Sequence, residues 1–79
     1  PPDDRAAVRW YQRAAELGHA EAPLNLASHY FHGRGVERDL HAVARCYELA
    51  LERLEPGANR DAAQSGLKDI RRRLARGER

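Results

Sequence analysis

Two histidines in the stretch "NLASHYFHG", His29 and His32, lie three residues apart, which brings their imidazole rings to neighbouring positions on one helix. Imidazole is a common ligand of zinc, and His19 or His41 could in principle complete a set of three. No cysteine, aspartate or glutamate at a suitable spacing joins the pair on its own helix. The pattern therefore favours surface histidines, and we expect no metal site.

The only cysteine, Cys46, is the one candidate for a thiol nucleophile. A single cysteine also excludes an internal disulfide and a multi-cysteine metal cluster, so packing alone must stabilise the fold. Cys46 follows Trp10 by 36 residues in a repeated pattern, at a position that we expect to face the core as a small apolar group. No serine or carboxylate pair is placed for hydrolysis. We therefore expect that the protein is not an enzyme and that it has no catalytic residue and no cofactor.

Two glycines one residue apart, Gly33 and Gly35 in "HGRGVERD", could cradle a phosphate or mark a turn between helices. A phosphate loop is followed by a lysine or serine and by a bare helix N-terminus, whereas here Asp39 would place a carboxylate at that N-terminus. In the turn alternative, Gly33 ends one helix in a left-handed conformation, Val36 packs back against it and Asp39 caps the next helix. The flanking residues favour the turn.

The end of the chain is basic. Residues 60–79 carry seven lysines and arginines against three acidic residues, although the whole chain has a net charge of only +2. Successive arginines at positions 71, 72 and 73 would point about 100° apart on a helix, which spreads their charge around it. We therefore expect a solvated helix, no nucleic-acid binding and no membrane contact. The alternative is a patch for an acidic protein partner, formed by Lys68, Arg71, Arg72 and Arg76.

The sequence contains an internal repeat of predicted helices, and the candidate residues above lie on or between these helices. The segment from Asp3 to Gly18 matches the segment from Asp39 to Leu54 at six of sixteen positions, with an offset of 36 residues. Both segments carry one polar stripe at helical spacing and are otherwise mostly apolar, as in helices that are buried on more than one side. A period in the mid-thirties with two helices per unit is typical of a helical solenoid. We predict four antiparallel helices with almost no β-strand, over residues 4–17, 20–32, 40–54 and 60–75.

The fourth helix, which Asn59 or Asp61 is expected to start, has a single narrow apolar stripe: Ala63, Leu67, Ile70 and Leu74. Such a helix buries one side only, as a cap does at the end of a solenoid. Gly66 costs about 1 kcal/mol relative to alanine in a helix, so either it permits a close helix contact or the helix is marginal. We predict seven large side chains in the core: Trp10, Tyr11, Leu26, Tyr30, Tyr47, Leu51 and Leu67.

The segments "AEAPLNLASHYFHGRGVERD", "AVARCYELAL" and "AAVRWYQRAAELGHAEA" resemble Sel1-like repeats, relatives of the tetratricopeptide solenoids. The resemblance covers about residues 3–54, and its most specific part is the Gly-x-Gly-Val-x-x-Asp spacing between two helices. The chain departs from the family pattern at three positions. Ala27 stands where the pattern has glycine, Cys46 where it has tryptophan, and Leu51 where it has alanine. The resemblance implies an all-α fold, an α/α superhelical solenoid of about one and a half repeats with a C-terminal capping helix.

The resemblance also implies a division of the chain. Residues 1–18 would be the second helix of a truncated repeat, residues 19–54 a complete repeat, and residues 55–79 the capping helix with the basic tail. The chain would then be the C-terminal end of a longer array. We expect a soluble protein, and the sequence leaves its compartment open between cytoplasm and periplasm.

Sel1-like repeats imply a scaffold or adaptor that binds another protein, with the first helix of each repeat lining a concave groove. On this chain the corresponding groove residues are Glu21, Asn25, Ser28, His29 and His32. The alternative is a purely structural end-cap, with partner binding done by repeats absent from this chain. Because the first predicted helix is apolar on both flanks, we also expect self-association through residues 4–17, most simply as a symmetric dimer.

Overall fold

A computed structural model describes residues 3–79, so positions 1 and 2 of the first predicted segment lie outside the described range. Within that range the chain forms no β-strand and four α-helices: α1 (Asp4–Glu16), α2 (Ala22–His32), α3 (Leu40–Arg53) and α4 (Ala58–Ala75). The main helix contacts join consecutive helices, α1 with α2, α2 with α3 and α3 with α4. The predicted all-α solenoid class is confirmed, and every helix begins and ends within two residues of its predicted bounds.

Aspartates cap the N-termini of two helices. The carboxylate of Asp3 accepts a hydrogen bond from the backbone N–H of Arg5 at 3.0 Å. The carboxylate of Asp39 accepts from the backbone N–H groups of His41 at 3.0 Å and Ala42 at 3.2 Å, which confirms its predicted role. These N–H groups have no partner within their own helix, and such a cap stabilises a helix by about 1 kcal/mol.

The other two helices begin without a side-chain cap. Pro23 lies in the first turn of α2, where its missing N–H costs no hydrogen bond. Gly57 holds the N-cap position of α4, so the prediction that Asn59 or Asp61 starts this helix was wrong. Both residues lie in its first turn instead. There the Asp61 carboxylate is favourable beside the positive end of the helix dipole, and the Asn59 amide donates to Glu21 at the N-cap of α2.

Both glycines of the turn between α2 and α3 have a left-handed backbone, with φ of 67° at Gly33 and 76° at Gly35. Gly33 is the C-cap of α2, as predicted, and its N–H donates to the carbonyl of His29. Gly35 has a second constraint, because a Cβ atom there would lie 2.5 Å from the backbone carbonyl carbon of Asp4. Val36 packs against the apolar cluster between α1 and α2. The turn therefore also contacts the start of α1.

Two clusters of buried apolar side chains form the core: one contains Val8, Ala15, Ala22 and Leu26, and the other Ala27, Leu40, Val43 and Ile70. Of the seven predicted core residues, two are buried and four half-buried: Leu26 and Leu67, then Tyr11, Tyr30, Tyr47 and Leu51. The prediction for Trp10 was wrong, because its side chain is 69% exposed. Trp10 is not among the α1 side chains that pack against the cluster shared with α2.

The contact between Gly66 of α4 and Tyr47 of α3 explains the glycine within the last helix. A Cβ atom at position 66 would lie 2.7 Å from Cζ of the tyrosine, well inside van der Waals contact. Of the two alternatives left by the sequence, the close helix contact is therefore correct.

Two arginines bind the C-terminal ends of α1 and α3. Nη1 of Arg53 donates to the carbonyl oxygen of Ala15 in α1 at 2.6 Å. Nη1 of Arg60 in α4 donates to the carbonyl oxygen of Leu51 in α3, also at 2.6 Å. A cation at this end of a helix is favourable because it opposes the helix dipole. Since Ala15 and Leu51 are 36 residues apart, the sequence repeat is accompanied by a repeated contact.

Candidate functional site

Four of the five predicted groove residues reach the surface on α2 or at its N-cap, and Ser28 among them is half-buried. We name these four the α2 surface: Glu21, Asn25, Ser28 and His32. Oε1 of Glu21 accepts a hydrogen bond from the amide of Asn59 in α4 at 3.3 Å. The Asn25 amide donates to the backbone carbonyl of Glu21 at 3.3 Å, and the Ser28 hydroxyl accepts from Arg34 at 3.1 Å. Three of the four side chains therefore have hydrogen-bond partners within the fold, and the bond from Asn59 joins the α2 surface to α4.

The fifth predicted groove residue, His29, lies inside the fold, so its assignment to the groove was wrong. Its side chain is 8% exposed, its Nδ1 lies 3.0 Å from the carbonyl oxygen of Arg34, and its ring centroid is 5.7 Å from that of Tyr11. Because a carbonyl only accepts, Nδ1 carries the proton and donates. The turn after α2 folds back over this side of the helix and covers His29.

Residues 3–79 contain neither a group of side chains that could hold a metal ion nor a helix that could span a membrane. In that range no three histidine, cysteine or acidic side chains come together in a group that could hold a metal ion. The exposed His32 ring instead meets Phe31 edge-on, with 5.1 Å between centroids. None of the four helices combines the length and the apolar character that crossing a membrane requires.

Cys46 is half-buried on α3 and packs against both core clusters. Burial raises the pKa of its thiol to about 11, although the positive charge of Arg45 opposes this in part. Near neutral pH such a thiol is almost fully protonated, and the thiol is a much poorer nucleophile than the thiolate. The environment of Cys46 is therefore that of a packing residue.

The predicted acidic-partner patch lies on α4 and at its C-cap, Arg76, and neighbouring carboxylates neutralise part of its charge. Arg71 pairs with Glu48 of α3 at 3.2 Å, and Arg76 pairs with Glu78 at 3.5 Å. Lys68 and Arg72, the other two members, are exposed. A third neighbouring cation, Arg73, turns inward to Asp69 and the ring of Phe31. The charges of α4 thus point in several directions, as the helical spacing predicts.

One side of α1 is apolar and is covered by no helix within residues 3–79. Trp10 is 69% exposed and Leu17, the C-cap residue, 66%. Ala6, one turn before Trp10, is exposed, and Ala14, one turn after it, is half-buried at the edge of the cluster that α1 forms with α2. Spacings of four, four and three residues place all four on one side of the helix. We name these four residues the uncovered α1 face.

Trp10 and Cys46 occupy the same position in the two repeat units, but only Cys46 packs against side chains of α2. No helix in the described range occupies the corresponding place beside α1. A periodic pattern reports that a helix face is apolar but not that a neighbouring helix covers it, so the sequence could identify this face without establishing its burial.

A family model described as Sel1 repeat matches residues 1–19 and 20–53. An uncharacterized protein of Neisseria meningitidis serogroup B is 49% identical over 35 residues, which are 44% of this chain and 8% of that protein. Protein sel-1 homolog 2 of Mus musculus is 39% identical over 51 residues, which are 63% of this chain and 7% of that protein. The chain thus spans only a small part of these relatives, and no solved structure matches it. Because the family model covers most of its residues, the chain belongs to the Sel1 repeat family.

Proposed function

We propose that this chain is a protein–protein interaction module whose main contact surface is the uncovered α1 face. Sel1 repeats generally mediate protein–protein interaction. The observation that carries the proposal is the exposure of Trp10 beside Leu17, on one side of one helix. Tryptophan is enriched among the residues that dominate interface energetics, because its burial removes a large apolar area from water. An apolar face of this kind on a small chain favours association with another protein.

When the chain is alone in solution, we propose that a second copy occupies this face. The face is self-complementary in size, since the small residues Ala6 and Ala14 alternate with the large residues Trp10 and Leu17. In an antiparallel pair of α1 helices, Trp10 of one copy lies over Ala14 of the other, and Leu17 lies over Ala6. A symmetric contact of this kind closes after two copies, so the expected species is a dimer.

Sedimentation equilibrium at roughly 50 µM, a concentration at which a micromolar Kd is visible, tests this proposal. We expect a dimer for the wild-type chain and the 8.9 kDa monomer for Trp10→Glu. The matched control is Gln12→Glu, which adds the same charge to the exposed polar stripe of α1. Trp10 is exposed, so the variant should retain its far-ultraviolet circular dichroism. A monomeric wild-type chain, or a dimeric Trp10→Glu variant, would refute the proposal.

The α2 surface is a second candidate contact surface, now without His29. The hydrogen bond between Glu21 and Asn59 supports it, because this bond joins the N-terminal ends of α2 and α4 into one polar surface. Asn25→Ala and His32→Ala should then weaken capture of a protein partner while leaving circular dichroism and thermal melting unchanged. Unchanged capture would favour the structural end-cap, in which α2 and α4 serve only to close the solenoid.

A further inference from the structure

Three arginines from two parts of the fold converge on Glu78 and Arg79, which lie just after α4. Nη1 of Arg38, in the turn after α2, donates to the carbonyl oxygen of Arg79 at 2.8 Å. The Glu78 carboxylate lies 3.5 Å from Nη2 of Arg76 and 3.9 Å from Nη1 of Arg73. One arginine therefore binds a backbone carbonyl, and two lie beside the preceding side chain. We name these three arginines the arginine site.

The ring of Phe31 on α2 orients two members of the arginine site. The guanidinium carbon of Arg38 lies 5.8 Å from the ring centroid, and that of Arg73 lies 5.3 Å from it. Asp69 orients Arg73 further, because its carboxylate lies 3.1 Å from Nε of the arginine. A guanidinium held over an aromatic ring loses less freedom when it binds an anion. The arginine site is therefore partly organised before a ligand arrives.

The Glu78 side chain is weakly held in the arginine site. It is 41% exposed, and the side chains of Arg73 and Arg76 are 33% and 63% exposed. Ion pairs as exposed as these contribute little to stability and are screened by salt. The backbone is held separately, because the N–H of Gly77 donates to the carbonyl of Leu74 and that of Glu78 to the carbonyl of Arg73. Another carboxylate can therefore replace that of Glu78 without unfolding the end of α4.

A cleft of about 480 Å³ beside the arginine site limits what can follow that carboxylate. Arg38 and Arg79 line the cleft together with the acidic residues Glu37 and Asp39. The Asp39 carboxylate already accepts two backbone N–H groups, whereas the Glu37 side chain is exposed. A second acidic side chain in the cleft would be repelled by these two carboxylates. A basic or neutral side chain, such as that of Arg79, is favourable there.

We infer that the arginine site binds a short acidic segment of a partner protein, and that Glu78 holds the place of this segment in the free chain. The partner's carboxylate lies between Arg73 and Arg76, and the carbonyl of the same segment accepts from Arg38. The next side chain, basic or neutral, lies in the cleft. The site uses the turn after α2 and the end of α4, so the inference goes beyond the proposed function and does not depend on the uncovered α1 face.

The hexapeptide SGERGS, acetylated and amidated, tests the inference because its centre copies residues 77–79. The control peptide has glutamine in place of the glutamate. Chemical shifts in ¹H–¹⁵N spectra of the chain report binding at roughly 10 mM salt, where charges are least screened. The chains are the wild type, Glu78→Gln and Glu55→Gln, which makes the same change of charge at an exposed residue before α4. Arg38→Gln and its matched control Arg72→Gln, exposed on α4, are each added to Glu78→Gln.

We expect Glu78→Gln to bind the peptide at least about threefold more tightly than the wild type or Glu55→Gln, because a tethered carboxylate no longer competes. Adding Arg38→Gln should weaken binding at least about threefold, and adding Arg72→Gln should weaken it less. The control peptide should bind more weakly to every chain. Equal affinity for Glu78→Gln and Glu55→Gln, equal affinity of the two peptides, or equal effects of the two arginine substitutions would overturn the inference.

The inference and the proposed function can fail separately. If the chain dimerises through Trp10 but Glu78→Gln does not bind the peptide, the inference is wrong and the proposed function stands. If the chain is monomeric and Glu78→Gln binds the peptide as expected, the inference stands and the proposed dimer is wrong. A dimer that Arg38→Gln dissociates and Trp10→Glu does not would assign the arginine site to Glu78 of a second copy, which would overturn both.

Discussion

Nδ1 of His29 lies 3.0 Å from the carbonyl oxygen of Arg34, so a side chain of α2 holds the turn that follows the helix. The backbone of the same residue also binds the turn, because the His29 carbonyl accepts from the N–H groups of Gly33 and Arg34. On its other side the imidazole ring meets Tyr11 of α1. His29 therefore connects the turn between α2 and α3 to the preceding helix.

We expect His29→Ala to lower the free energy of unfolding by about 1–3 kcal/mol, because the Arg34 carbonyl loses its donor and the ring no longer packs on Tyr11. His29→Asn should lose less, since an asparagine amide can donate from nearly the position of Nδ1. Urea unfolding followed by circular dichroism measures both variants. An equal loss for the two substitutions would show that ring packing, not the hydrogen bond, provides the stability.

The helices and their caps could be predicted because their signals are local in sequence. Apolar periodicity fixes each helix, and the spacing from Gly33 to Asp39 fixes a C-cap, a turn and an N-cap within seven residues. The start of α4 was placed too late because Asn59 resembles an N-cap residue. There Gly57 takes the cap position, and the asparagine side chain bonds to Glu21 from across the fold.

The candidate site could be predicted only in part, because the burial of a side chain depends on what folds over it. His29 was expected at the surface, yet the turn after α2 covers it. Trp10 was expected in the core, yet no helix within residues 3–79 covers it. Both residues lie where the helical pattern places them, and only the tertiary neighbours differ from those assumed.

The glycines at 33 and 35 should respond differently to substitution. Both have positive φ, so an alanine costs about 1–2 kcal/mol at either position. At Gly35 the new Cβ would also lie 2.5 Å from backbone atoms of Asp4, whereas at Gly33 the nearest atom, in Arg38, is 3.4 Å away. Chemical denaturation should therefore rank Gly35→Ala as the more destabilising change. Gly33→Val should cost more than about 1 kcal/mol, since a β-branched residue rarely adopts this backbone.

Equal costs for the two alanine variants would mean that α1 moves away from the turn without penalty. A neutral Gly33→Val variant would mean that the glycine does not adopt the left-handed conformation in solution.

The effect of alanine at position 66 should change sign with the residue at position 47. In the wild-type chain, Gly66→Ala forces the Tyr47 ring to shift, and overpacking of about 1–3 kcal/mol outweighs the gain in helix propensity. In a Tyr47→Leu background the atoms that would clash are absent, and Gly66→Ala should stabilise the chain by about 1 kcal/mol. A double-mutant cycle from urea unfolding measures both effects. Stabilisation in both backgrounds would show that the tyrosine ring moves freely.

Cys46 should make the stability of the chain depend on pH in the alkaline range. Burial raises the pKa of its thiol to about 11, whereas an unfolded cysteine has a pKa of about 8.5. Below about pH 8.5 the thiol is protonated in both states, and its contribution to stability is fully present. Between that pH and about 11 the unfolded chain loses the proton first, so the free energy of unfolding falls as pH rises.

The measurement is a series of urea unfolding curves at roughly pH 8, 9 and 9.5, below the range in which an ordinary tyrosine ionises. Tyr47 does not interfere in this range, because burial raises the pKa of its hydroxyl, with smaller contributions from Cys46 and Asp69. The wild-type chain should lose stability across the series more steeply than Cys46→Ala, which has no thiol to ionise. Parallel curves for the two chains would show that the thiol titrates alike in the folded and unfolded states, and that α2 does not shield it from water.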